Sequence, residues 1–288
     1  MLARLTDRET GRVNVTPAVN PLIRLGLELP RLGVEAGHRA IDDDPIALPE
    51  VARLAEDAAI GTLWLADAPP GIDPMPLAGS LAGRTSRIGI GIIVRPSHGR
   101  HPSVVAREVT TIDLLTAGRA AVALLEDGRG PLDVDRLAEA TAILHALLTE
   151  EEVSIAGHFY EVAELTTRPR PVHAHGPLVI AGFVEAPPQS DSSAESILVG
   201  ASADAYVTGG GPSEVAACRT RLDRAAPAGS DPVLVWRGGL PAGAPGEFAT
   251  SIFEAGADGM IAVLDEDAEV GGAFQRGAVE RVLDAMAP

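Results

Sequence analysis

The residues best equipped for chemistry stand together in "GIIVRPSHGRHPSVVARE", residues 91–108, where an apolar run ends in Arg95, Ser97, His98, Arg100 and His101. Arginine grips carboxylate and phosphate oxygens, and histidine is the side chain that moves protons near neutral pH. Arg95, Ser97 and His98 follow the apolar run directly and are the site candidates of this stretch, with His98 its proton carrier. Arg100, His101 and Pro102 open a helical pattern, and proline has the fixed φ of a first helical turn. These three read as scaffold, with Arg107 and Glu108 on the exposed face of the helix. A second candidate is "AYVTGGGPSEV", where Thr208, Gly209, Gly210 and Gly211 lead to Pro212. Glycines let a ligand approach the backbone, and a helix N-terminus favours an anion; a plain tight turn would use the same residues. Arg237 in "VWRGGLP" follows an apolar run and faces two glycines, which suits an anion partner or an external ion pair.

Composition removes many alternatives. All 23 basic residues are arginine, so no lysine exists to form a Schiff base or a P-loop. Net charge is −17, which argues against nucleic acid and against an anionic membrane surface. Cys218 is the sole cysteine, so no internal disulfide or thiolate cluster can form, and in "VAACRTRL" it reads as packing. No run approaches eighteen apolar residues and no signal-peptide pattern opens the chain, so a cytoplasmic protein is expected. A Gly-x-Ser-x-Gly elbow and a glycosidase-like carboxylate pair are both missing from the sequence. His173 and His175, two apart in "RPVHAHG", lack a third ligand in sequence, so no metal site is expected.

Eight short apolar runs must position these candidates: 22–30, 62–67, 87–94, 119–125, 177–182, 204–209, 232–238 and 258–264. They are continuous rather than alternating, as in parallel strands buried on both faces. Helical patterns alternate with them at 48–60, 74–85, 102–118, 133–150, 192–202, 212–226, 245–256 and 273–287. Eight strand–helix pairs predict a single (β/α)8 barrel over residues 22–288, preceded by an arm at 1–21; a doubly wound sheet is the alternative. Residues 151–176 break the alternation and read as a hairpin with a Pro-rich connector. Barrel enzymes keep their sites at the C-terminal ends of the strands, which is where Arg95, Ser97, His98, Thr208 and Arg237 fall.

Several stretches together resemble the bacterial-luciferase-like flavin and deazaflavin oxidoreductases: "LAEDAAIGTLWLAD", "SLAGRTSRIGIGIIVRPSHGRHPSVVAREVTTIDLLTAGR", "LAEATAILHALLTEEEVSIAGHFYEV", "PRPV" followed by "PLVIAG", and "ADAYVTGGGPSEVA". The resemblance implies F420 or FMN at the C-terminal mouth of the barrel, a small-molecule substrate and a homodimer that pairs through the second and third helices. It implies Asp67, Arg95 and His98 as polar groups near the ring or substrate, and Gly182, Thr208, Gly209, Gly210, Gly211 and Arg237 on the cofactor side. Three places depart from the family pattern. Ala68 stands where a histidine is usual, the loop at 126–132 is short and acidic, and "FVEAPPQSD" puts carboxylates and prolines into a turn that is usually Gly-rich. These departures support an alternative, a non-catalytic barrel without cofactor that works as a binding or assembly partner.

Overall fold

The computed structural model describes residues 21–29, 45–67, 72–126, 131–184, 203–228, 230–264, 269–270 and 273–286. One helical turn, α1 (Pro21–Arg24), leads into β1 (Leu25–Leu29), then β2 (Pro45–Ala47), α2 (Leu48–Asp57), β3 (Thr62–Ala66), α3 (Pro74–Ala82) and β4 (Gly89–Val94). A 3-10 turn at Pro96–His98 precedes α4 (Pro102–Leu115), β5 (Ala120–Glu126) and α5 (Pro131–Thr149). The antiparallel hairpin β6 (Val153–Ala156) and β7 (Glu161–Leu165) follows, then β8 (Leu178–Phe183), β9 (Ala205–Thr208) and α6 (Pro212–Ala225). The chain continues with β10 (Leu234–Gly239), α7 (Pro245–Glu254), β11 (Gly259–Val263), β12 (Glu269–Val270), β13 (Ala273–Gln275) and α8 (Arg276–Met286).

Eight parallel strands close in the order β1-β11-β10-β9-β8-β5-β4-β3, the (β/α)8 barrel expected from the continuous apolar runs. Element type departs from the sequence pattern in two places. Residues 22–24 belong to α1 rather than the first strand, and 273–275 form β13, which pairs with β2 through Phe274 opposite Ile46. Phe274 is fully buried by that pairing, so burial overrides the helical pattern there. The N-terminal arm and the helical pattern at 192–202 lie outside the described residues.

Each barrel strand buries both faces, and the two faces form separate cores. Leu63, Leu65, Ile90 and Ile92 pack outward under the helices, whereas Trp64, Ile93, Ala123, Ile180 and Val235 fill the interior. A chain poor in aromatics fills that interior with one indole. A Cβ on Gly26 would lie 2.5 Å from Trp64 Nε1, and one on Gly91 would lie 2.6 Å from Trp64 Cδ2. Only glycine fits beside the ring at either position. The price is a buried Trp64 Nε1 with no hydrogen-bond partner among the described residues.

At the N-terminal ends of the strands, acidic side chains hold backbone donors. Glu56 accepts from Ser86 N at 2.8 Å and Ile88 N at 3.0 Å, and also from Arg87 N. Burial alone would raise the Glu56 pKa, but these backbone donors outweigh it and lower it. Asp204 accepts from Val179 N at 2.7 Å, and Asp258 from Leu234 N at 2.9 Å. Arg219 on α6 is buried, donates to the carbonyls of Gly256 and Pro232, and pairs with Asp258. Arg219→Ala strands these acceptors and is expected to cost about 2–4 kcal/mol in urea unfolding. It lies at the end of the barrel opposite the candidate site, so ligand affinity at native temperature should not change.

Candidate functional site

The strand exits bring most of the sequence candidates to one end of the barrel. Arg95 continues β4 in extended conformation (φ −105°, ψ 116°), on the same side as Ile93, whose side chain belongs to the interior core. Arg237 in β10 alternates with Trp236 and shares the inner side of Val235. Its Nε and Nη2 each donate to Glu28 of β1 at 2.6 Å, one bond to each carboxylate oxygen. The two side chains are 12% and 4% exposed, so a buried, two-pronged ion pair spans the interior from β10 to β1. Arg237 therefore arrives at the mouth with its charge already balanced. Glu28 gives no chemical motif in the sequence; its signal is a lone carboxylate inside the apolar run "LGLEL".

Asp67 extends β3 by one ladder bond, its N–H donating to Ile93 O at 2.8 Å, on the side of Leu63 and Leu65 that faces the helices. There it accepts from Arg100 Nε at 3.0 Å. Arg100 also donates to both oxygens of Glu108 at 3.1 Å and lies 3.5 Å from Asp73, whose other oxygen caps α3 at Met75 N. Burial opposes the Arg100 charge, but Asp67, Glu108 and Asp73 raise its pKa. Arg100 thus ties the β3 exit to α3 and α4, and Glu108 turns toward it rather than standing on an exposed face. His101 is the N-cap of α4, its Nδ1 accepting from Ser103 N at 3.2 Å.

His98 lies exposed in the 3-10 turn and its N–H donates to Arg95 O at 2.9 Å. The same turn is held by Glu126 at the end of β5. Ser97 N and Oγ donate to the two Glu126 oxygens at 2.6 and 2.7 Å. Glu126 is buried, and that burial raises its pKa against the lowering effect of Ser97. The sequence marks Glu126 only as an acidic strand exit; its contact with a serine 29 residues away has no local signal.

At the β9 exit Thr208 and Gly209 are buried, and Gly210 adopts φ +89°, which L side chains rarely reach. Trp236 Nε1 donates to Gly210 O at 2.7 Å and so fastens this turn to β10. The N-terminus of α6 is not bare: Gly211 N and Ser213 Oγ donate to Glu214 Oε2 at 3.1 and 2.8 Å. Those donors lower the pKa of the exposed Glu214 carboxyl, the Ser213 hydroxyl foremost. Gly182 lies against β9, where a Cβ would be 2.6 Å from Val207 N and closer still to its carbonyl oxygen. Its backbone packing is sufficient reason for a glycine. Ala68, residues 127–130 and 185–191 lie outside the described residues, and so do the departures they carry. His173 and His175 are exposed and stack at 5.3 Å, and no group of three potential ligands forms a metal site among the described residues.

A closed parallel barrel with polar groups gathered at its C-terminal rim defines an enzyme-like (β/α)8 architecture. Residues 29–235 match the luciferase-like monooxygenase family, and the chain belongs to it. Among curated relatives it is 29% identical over 121 residues to an F420-dependent glucose-6-phosphate dehydrogenase of Microbacterium testaceum, covering 38% of this chain and 36% of that protein. The chain thus spans well under two thirds of that relative's length. Among solved structures, the coenzyme F420 dependent tetrahydromethanopterin reductase from Methanopyrus kandleri superposes with TM-score 0.63 at 15% identity, over 92% of this chain and 98% of that one. The oxygenating constituent of a 3,6-diketocamphane monooxygenase from Pseudomonas putida, in complex with FMN, gives TM-score 0.55 at 14% identity over 75% and 67%. No helix of the described residues is long and apolar enough to cross a membrane.

Proposed function

We propose that the chain is an oxidoreductase that holds F420 or FMN at the C-terminal mouth of its barrel and acts on a small molecule. The observation that carries this reading is the turn at Gly209–Gly211, which already holds an oxyanion: the Glu214 carboxylate, gripped by Gly211 N and Ser213 Oγ. A phosphate on the cofactor would take those donors and displace Glu214. Arg237, on the neighbouring strand, turns inward from the same rim. Gly182 and Thr208 support this side through the backbone. The bound flavin or deazaflavin would supply the hydride or oxygen chemistry. Arg95 would orient an electron-rich edge of ring or substrate, and His98 would carry a proton, while Asp67 holds the rim through Arg100.

The relatives of known activity support this reading over the non-catalytic alternative, whose departures at 68, 126–132 and 183–191 fall largely outside the described residues. A cytoplasmic homodimer belongs to the same proposal. Its support is open surface on each of α3 and α4: a Cβ on Gly79 would meet nothing within 4 Å, and Leu114 and Leu115 are 43% and 58% exposed.

Titration of the purified protein with FMN and, separately, with F420, followed by the cofactor's own fluorescence, tests the reading. Saturation by one of them in the micromolar range is expected. Glu214→Gln, at an exposed site, removes a charge that competes for the donors at a helix N-terminus, so affinity should rise about two- to fivefold. Unchanged affinity in that variant would move the phosphate away from this turn. No binding of either cofactor at high micromolar concentration would overturn the proposal.

A further inference from the structure

The 3-10 turn at Pro96–His98 is fastened from two sides by residues distant in sequence. On one side Glu126 of β5 takes both the amide and the hydroxyl of Ser97. On the other, Tyr160 of the hairpin lies with its hydroxyl 3.4 Å from Pro96 O and its ring edge-on to His101 at 5.4 Å between centroids. Tyr160 is itself fixed. The hairpin turn donates three consecutive amides, those of His158, Phe159 and Tyr160, to the single carboxylate of Glu139 on α5. Arg136, one turn of α5 earlier, sits over the Phe159 ring at 4.9 Å.

A loop at a strand exit is ordinarily the least constrained part of a barrel. Here it is held by a buried carboxylate, and the residues flanking the clamp are Arg95 and His98. We propose that Glu126 is the positioning residue of the Arg95–Gly99 segment, fixing through the amide and hydroxyl of Ser97 the turn that presents Arg95 and His98 to a ligand at the mouth. Its effect on the ligand rests on the oxidoreductase reading; its effect on the segment does not.

Protonation enters through Glu126. Burial raises its pKa, Ser97 lowers it, and on α5 Asp133 raises it while Arg136 lowers it; Tyr160 is the titratable group facing it from the hairpin. When the segment opens, Glu126 meets water and returns to an ordinary glutamate pKa. A group whose pKa is higher in the closed state favours closure below its open-state pKa and loses that contribution as pH rises through the closed-state value. Protonated Glu126 can still serve Ser97, its carbonyl oxygen accepting the amide and its hydroxyl donating to Oγ. The clamp therefore holds best on the acid side and loosens toward neutrality.

Hydrogen exchange on the full chain without cofactor tests the proposal, comparing wild type, Glu126→Ala and Glu126→Gln from about pH 4 to about pH 7 after correction for intrinsic rates. Glu126→Ala is expected to speed exchange at Ser97 and His98 by about tenfold or more, with β4 and β5 amides unchanged. Glutamine has both an acceptor and a donor for Ser97, so it should stay within about threefold of wild type and lose the pH dependence. Whichever of F420 or FMN saturates the wild type should bind Glu126→Ala at least about threefold more weakly and Glu126→Gln nearly normally. Unchanged exchange at Ser97 in Glu126→Ala, or an equal loss across β5, would overturn the proposal. If neither cofactor binds but the exchange pattern holds, the oxidoreductase reading falls and the positioning role of Glu126 for the segment stands.

Discussion

Glu28→Ala is expected to be the most destabilising single substitution in the barrel interior, costing about 3–5 kcal/mol in urea unfolding followed by circular dichroism. The reason is what it leaves behind. Arg237 makes two 2.6 Å bonds to Glu28 and is 12% exposed, so removing the carboxylate leaves a guanidinium charge inside a closed barrel. Replacing both partners with apolar side chains should behave differently, because a desolvated ion pair is often worth no more than a hydrophobic pair of similar volume. Glu28→Leu with Arg237→Met is therefore expected to unfold within about 1 kcal/mol of the wild type, or above it. If the double variant retained cofactor affinity, Arg237 would be a structural member of the barrel rather than a ligand contact. Equal cost for the single and double variants would contradict the pairing itself.

Gly182→Ala is the second large effect. Its added methyl would meet the backbone of Val207, nitrogen and carbonyl oxygen together, and backbone in a closed parallel sheet cannot yield as a side-chain tip can. Overpacking in a core ordinarily costs about 1–3 kcal/mol. A collision with a strand that pairs Gly182 against Val207 belongs at or above the top of that range. The expected outcome is a loss of about 3 kcal/mol or more of stability, measured by urea unfolding with no ligand present. Gly79→Ala is the control, since a Cβ there meets nothing within 4 Å; it should leave stability unchanged or slightly raised. A Gly182→Ala protein of normal stability but weakened cofactor binding would return Gly182 to the cofactor side.

The barrel was legible because its information is local. Runs such as "RIGIGIIV" and "RAAVALL" are continuous because both strand faces are buried, and proline and glycine mark the turns between them. The scaffold role of Pro102 was equally local, since it depends only on a first helical turn. The partners at the rim were not legible, because they depend on closure. Glu28 and Arg237 are 209 residues apart and meet only when β1 and β10 flank β11 in the closed sheet. Strand alternation puts Asp67 on the helix side, yet its engagement with Arg100 depends on where α4 begins in space. Phe274 shows the converse failure, a helical pattern overruled by a short strand that buries it.

The two tryptophans differ in what surrounds them, and this gives the molecule two separate optical reporters. Trp64 sits inside the barrel between Gly26 and Gly91, with no hydrogen bond on its indole nitrogen among the described residues, a setting in which emission is blue-shifted and insensitive to solvent. Trp236 lies on the helix side, edge-on to Phe248, with its indole donating to the carbonyl of Gly210. Any ligand that shifts the Gly209–Gly211 turn alters that bond and the Trp236 spectrum, while Trp64 registers only changes in the barrel wall. Replacing either indole with phenylalanine leaves the other as a clean signal, so events at the rim and integrity of the sheet can be followed separately in the two single-tryptophan variants.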